Sequence, residues 1–271
     1  MRIGAVSYLN TKPLVYGLAE LAPRAEIVYD LPSRLADELA AGRLDVALIP
    51  SVEYFQNPDY AIVSDACIGC RGPVLSVRLL SRAPLDKIRT LALDEGSRTS
   101  VALVRILLKE RFGLSPRLLP FPLGQAAENV DADAVLMIGD RAMHPPEGFC
   151  QQWDLGEEWC RWADLPFVFA MWVARKDLLP ELEEMAIALA RARDQGVSNL
   201  VAIAQREAAG VGLTHEKCLS YLRDNLYFFL GPRERRGLEL FREHAQKLGL
   251  APECGAGILP PQKLPREKTA V

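Results

Sequence analysis

The 271-residue sequence is short of several things at once. It has three histidines and six cysteines, no clustered run of lysine and arginine, and no apolar stretch near the ~20 residues that cross a bilayer. Each shortage removes a class of function. A net charge of −3 without basic runs excludes a nucleic-acid partner, which requires concentrated positive surface. The missing apolar run excludes a membrane partner. Six cysteines are too few for a disulfide scaffold. Cys67-Ile68-Gly69-Cys70 forms a CxxC, but no second pair stands at zinc-ribbon spacing. Arg71-Gly72-Pro73 follows where a redox motif opens a helix, so these cysteines read as structural. His144, His215 and His244 lie far apart and join no motif, so neither a zinc site nor a His-based triad is expected. The opening Met1-Arg2-Ile3-Gly4-Ala5-Val6 runs straight into strand-like sequence. It has no charged and apolar export signal, and a cytoplasmic protein is expected.

What is present is the balance of a globular chain, 49% hydrophobic and 25% charged, arranged as strands alternating with helices. Arg2–Ser7 reads as a strand, Pro13–Leu21 as a helix and Glu26–Tyr29 as a strand. Ser33–Ala41 reads as a helix closed by Gly42, and Asp45–Ile49 as a buried strand. The pattern then repeats: strand Thr90–Leu93, helix Thr99–Phe112 closed by Gly113, strand Arg117–Phe121, short helix Gln125–Asn129, strand Ala134–Ile138. Such alternation implies mostly parallel, mixed sheets with right-handed crossovers. Strands are also expected at Ala61–Asp65, Val74–Ser81 and Leu165–Ala174. The remainder, 178–248, reads as mainly helical, interrupted by the aromatic strand Leu226–Leu230.

The fold class expected is therefore α/β with two lobes. Lobe one comprises 1–81 and 171–259, lobe two is inserted as 82–170, and a disordered tail runs from Pro260 to Val271. Val74–Ser81 and Phe167–Ala174 are expected to pair as a hinge. Proteins of this architecture hold a small ligand between the lobes, outside the carboxyl ends of the strands.

That topology selects the candidate site. Ser7–Thr11 and Ser97–Ser100 follow the first strand of each lobe, at helix N-termini whose free N–H groups and dipole favour anions. Ser97, Thr99 and Ser100 add hydroxyls and Arg98 a charge, although the same residues also suit helix capping. Asn10 precedes a Lys-Pro helix start, where capping is again the plain alternative. Ser76 interrupts an apolar strand and must find a partner if buried. Gly139-Asp140 follows a strand as a turn or a site loop. The Trp153–Trp172 stretch reads as hinge and core packing, with an aromatic ligand platform as the alternative. Composition and spacing lead to a two-lobed α/β binder or enzyme for a small anion.

Five motifs occurring in order carry a resemblance: Ser7-Tyr8-Leu9-Asn10-Thr11-Lys12-Pro13-Leu14, Gly72-Pro73-Val74-Leu75-Ser76-Val77, Ser97-Arg98-Thr99-Ser100-Val101, Ile138-Gly139-Asp140, and Leu165–Trp172. From residue 2 to about 250 the chain resembles the chorismate dehydratases of the futalosine route to menaquinone. The resemblance implies a fold like type 2 periplasmic binding proteins. It also implies a cofactor-free dehydration of the dicarboxylate chorismate to 3-[(1-carboxyvinyl)oxy]benzoate. Asn10 and Ser76 would then be catalytic, with Ser97, Arg98, Thr99, Ser100, Gly139 and Asp140 in the substrate site. An exported solute receptor would carry a leader, and a regulator's effector domain an N-terminal helix-turn-helix. The sister enzyme 1,4-dihydroxy-6-naphthoate synthase would need a catalytic histidine in the second lobe, where only His144 stands in a His-Pro-Pro loop. A non-enzymatic binder of a small anion remains the other reading.

Overall fold

A computed structural model describes residues 1–253; the tail expected from Pro260 lies outside them. Eleven strands form two sheets among the described residues. In chain order they are β1 (Arg2–Val6), β2 (Glu26–Asp30), β3 (Val46–Pro50), β4 (Tyr60–Cys70), β5 (Val77–Ser81) and β6 (Thr90–Asp94). β7 (Arg117–Phe121), β8 (Ala134–Ile138), β9 (Gln151–Asp154), β10 (Phe167–Arg175) and β11 (Tyr227–Phe229) complete the set. The helices are α1 (Leu18–Leu21), α2 (Pro32–Ala40), α3 (Ser51–Gln56), α4 (Arg98–Phe112), α5 (Leu155–Ala163), α6 (Glu183–Ser198), α7 (Leu200–Glu207), α8 (His215–Ser220) and α9 (Pro232–Lys247). Shorter 3-10 turns join them, and one π turn at Tyr221–Asn225 follows α8.

The larger sheet runs β11-β4-β10-β3-β1-β2 and the smaller β7-β6-β8-β5-β9. Each contains one parallel triplet, β2-β1-β3 and β7-β6-β8, so the repeated grammar of the sequence is a repeated topology. An antiparallel strand closes each triplet: β10 against β3, and β5 against β8. The parallel share is thus smaller than strand–helix alternation alone suggests. β3 and β8 are buried along their whole length, which is why both read as continuous apolar runs. α4 starts where Ser97 accepts from the Ser100 N–H and stops at Gly113, whose φ of +69° admits the left-handed cap. In α2, Pro32 opens the first turn, and Leu35 and Leu39, one turn apart, are fully buried.

Three expectations differ from this arrangement. Val77–Ser81 belongs to the smaller sheet, whereas Phe167–Arg175 lies wholly in the larger one, so no two-strand hinge pairs them. The chain changes sheet over 71–76 and again over 155–166, through α5. The reason is at Leu75: its φ of +61° breaks the run at Val74–Ser76, and β5 starts only at Val77. Finally, the Pro13–Leu21 helix is a 3-10 turn, Leu9–Val15, followed by the short α1.

Candidate active site

The carboxyl ends of β1, β3 and β8 and the loop that follows β6 converge on one cleft. Asn10, Ser76, Ser97, Ser100 and Gly139 line it; Arg98, Thr99 and Asp140 do not. Its wall carries no charged side chain. Val74, Ile68 and Phe169 supply apolar surface, and Tyr8, Asn10 and the serines supply the polar atoms.

Ser97 and Ser100 face the cleft together because residues three apart share a helix face. Ser97 Oγ accepts from the Ser100 N–H at 3.2 Å and donates to Ser100 Oγ at 3.0 Å. Ser97 is therefore both cap and wall. The positive end of the 15-residue α4 opens beside it. Arg98 and Thr99 lie around the helix from that face. The Arg98 guanidinium reaches Asp37 at 2.8 Å and Glu53 at 3.2 Å, tying α4 to α2 and α3. Burial raises the Glu53 carboxyl above its ordinary value, and Arg98 only partly opposes that. Thr99 is fully buried, accepts from the Val52 N–H at 3.2 Å and lies 3.3 Å from Ser51 Oγ. Both residues, expected in the substrate site, tie α4 to its neighbouring helices beside the cleft.

Asp140 has a similar part. Its carboxylate accepts from the Leu9 N–H at 3.1 and 3.3 Å, binding the loop that carries Asn10 to the end of β8. Burial pushes its carboxyl upward, and the Leu9 N–H works against that. Gly139 has φ +70°, and a Cβ there would stand 2.7 Å from the Tyr8 ring. Its N–H donates to the Ser76 carbonyl at 2.9 Å, so it braces the serine's backbone.

Ser76 is buried on the segment that crosses between the sheets. The Ser76 N–H donates to the Val74 carbonyl at 2.7 Å around Leu75, a γ-turn of the rare positive-φ kind. Strain of this sort persists only where neighbours over-determine it. Asp154 is such a neighbour: its carboxylate accepts from Val74 N at 2.9 Å and Leu75 N at 2.6 Å while capping α5 through Glu157 N at 3.1 Å. Ser76 Oγ accepts from the Tyr221 hydroxyl at 2.9 Å. Asn10 and Ser76, the two residues singled out from the sequence, line the same cleft.

Sequence reasoning included Tyr8 in Ser7–Thr11 without giving it a part, and passed over Asp154 and Tyr221. Tyr8 was readable from its place between Ser7 and Asn10, while the other two carry no local signal. Burial, reinforced by the Asp94 carboxylate, holds the Tyr8 phenol far above its ordinary value. The CxxC lies within β4 with both thiols buried. Among the described residues no three His, Cys, Asp or Glu side chains gather as a metal site. His144 bonds the Val211 carbonyl at 2.9 Å and His244 faces Glu110 at 2.9 Å; no histidine lines the cleft.

Two mixed sheets with strand ends facing one uncharged cleft define a class, the α/β cleft proteins of the periplasmic-binding type. Solved structures share that fold. One is a protein of Archaeoglobus fulgidus, 18% identical, covering 92% of this chain and 97% of that one with a TM-score of 0.76. Another is the alkanesulfonate-binding protein SsuA from Xanthomonas axonopodis pv. citri, 14% identical over 94% of this chain and 95% of that one, TM-score 0.63. Within this class, a family model described as menaquinone biosynthesis matches residues 1–247. The chorismate dehydratase of Thermus thermophilus is 32% identical over 267 residues, 92% of this chain and 95% of that protein. The chain belongs to this menaquinone biosynthesis family and is an enzyme of that biosynthesis.

Proposed function

We propose that the protein is a carbon–oxygen lyase that dehydrates chorismate to 3-[(1-carboxyvinyl)oxy]benzoate. The observation that carries this reading is the placement of Asn10 and Ser76 in one cleft, with Ser76 held by a buried phenol and a wall that suits a ring bearing carboxylates. One carboxylate lies at the positive end of α4 against the Ser97 and Ser100 hydroxyls, and the ring lies against Phe169, Ile68 and Val74.

The reaction removes the ring C3 proton and the C4 hydroxyl. The C3–H electrons become the C3–C4 π bond, the C4–O bond breaks, and the hydroxide departs as water with the proton taken from C3. Neither an amide nor an alcohol is a strong base, so the proton goes to the substrate's own enolpyruvyl carboxylate. Asn10 and Ser76 hold that carboxylate and the leaving hydroxyl in place. Positioning can supply much of the barrier reduction when both reacting groups sit on one molecule. Aromatisation supplies the driving force.

In this reading the segments 71–76 and 155–166 join the two lobes. Free thiols at Cys67, Cys70, Cys150, Cys160 and Cys218 fit a reducing, cytoplasmic setting.

The test is incubation of purified protein with chorismate and no added cofactor. The expected product is lighter by one water. Asn10→Ala and Ser76→Ala should each lower turnover roughly 10²–10³-fold, the scale of one preorganised donor. Folded variants that work within a few-fold of wild type would remove both residues from the mechanism.

A further inference from the structure

The hydroxyl that bonds Ser76 comes from Tyr221, 145 residues further along the chain. Its side chain is buried, 1% exposed, and it does not line the cleft. It opens the π turn Tyr221–Asn225, and such turns recur at functional sites. The same turn reaches the crossover twice: Tyr221 bonds Ser76 Oγ, and Asn225 Nδ2 donates to the Pro73 carbonyl at 2.9 Å. The strained γ-turn at Leu75 lies between those two anchors.

A serine hydroxyl has one proton and two lone pairs. Tyr221 fills one lone pair at 2.9 Å, whereas the serine's own proton reaches only the Val74 carbonyl, at a long 3.4 Å. That weak bond is readily exchanged for an acceptor in the cleft. Donation from Tyr221 also polarises the Ser76 O–H, as hydrogen bonds in series do.

We propose that Tyr221 is a positioning residue, which orients the Ser76 hydroxyl toward the cleft so that Ser76 donates to the leaving hydroxyl of the substrate. The proposal rests on the dehydratase reading for the identity of that hydroxyl, but not for the orientation of Ser76. It separates Tyr221 from an ordinary core tyrosine by what its oxygen does to turnover.

The experiment is Tyr221→Phe, which keeps the ring and removes the oxygen. The expected result is a kcat on chorismate lower by roughly 10–100-fold, with KM within about three-fold, the split expected when an interaction acts in the transition state. Tyr221→Phe combined with Ser76→Ala should be no slower than Ser76→Ala alone. Site-specific 3-fluorotyrosine at 221 retains the donor and should restore most of kcat. A crystal structure of Tyr221→Phe should show Ser76 Oγ turned from its wild-type rotamer or divided between rotamers. A kcat within two-fold of wild type, or losses that multiply in the double variant, would overturn the proposal. If wild-type protein leaves chorismate unchanged, the dehydratase reading fails. The Ser76 rotamer in the variant then decides the positioning claim, and an unmoved Oγ rejects it.

Discussion

Removing the Asp154 carboxylate should separate the presentation of Ser76 from its chemistry. In Asp154→Ala the Val74 and Leu75 N–H groups and the Glu157 N–H lose their common acceptor. Hydrogen bonds to a charged group are worth about 1.5–3 kcal/mol each, and a lost N-cap about 1 kcal/mol. The three act as one group, so the loss is less than their sum, about 3–5 kcal/mol. At about 2–4 °C per kcal/mol for a protein of this size, the melting temperature should fall by about 6–20 °C. With Asp154 gone, the turn at Leu75 relaxes and Ser76 leaves its position. Turnover should therefore fall at temperatures where the variant is fully folded. Asp154→Asn keeps one acceptor but sets an NH₂ against a backbone donor, so it should lie between wild type and alanine on both scales. The assays are thermal unfolding and chorismate turnover on the same preparations. An Asp154→Ala protein that melts within 2 °C of wild type and retains its turnover would refute the account of how the serine is held.

Two more outcomes follow from charges elsewhere. Arg98 is occupied by Asp37 and Glu53 and stands off the cleft, so Arg98→Ala should leave the chorismate KM within about two-fold. It should cost at most about 1 kcal/mol of stability, less at high salt; a ten-fold rise in KM would return Arg98 to the substrate site. Asp133 accepts from the Arg89 and Thr90 N–H groups at 2.8 and 2.9 Å, which hold its carboxyl below the ordinary value of 3.8. A depressed folded value means a contribution complete above that pH and lost as pH falls through the folded value. Asp133→Ala should therefore be destabilised near neutrality and converge on wild type in acid denaturation below about pH 4; a gap that is constant with pH would exclude this linkage.

Much of this molecule was legible before its coordinates. Continuous apolar runs marked β3, β8 and β10, because strands buried on both faces leave no alternation to confuse them. Gly113 marked the end of α4. The short α3 was hidden behind β3, and α5 was hidden in the Trp-rich stretch that reads as hinge and core packing. β9 is only four residues, half of them exposed glutamines. In the site, the two serines of α4 could be placed by helical spacing, and the same spacing should have turned Arg98 away. Ser76 was found, but in a strand. The left-handed φ of Leu75 is imposed by Asp154 and by contacts from the π turn, and neither is near in sequence. Tyr221 had no signal at all, since its role exists only once residues 145 apart have met.

The placement of β10 bears on how the chain is made. This strand, residues 167–175, lies between β3 and β4, which were synthesised about a hundred residues earlier. Until it emerges, those two strands have no partner on their facing sides, and both are rich in buried apolar residues. Open edges of that kind are templates for pairing with other chains. The growing polypeptide must therefore carry an unfinished, adhesive sheet through the synthesis of nearly the whole smaller one. The support of Ser76 comes later still, because the hydroxyl that bonds it arrives at residue 221. A chain interrupted between these points would hold every residue that lines the cleft and lack the hydroxyl that holds Ser76.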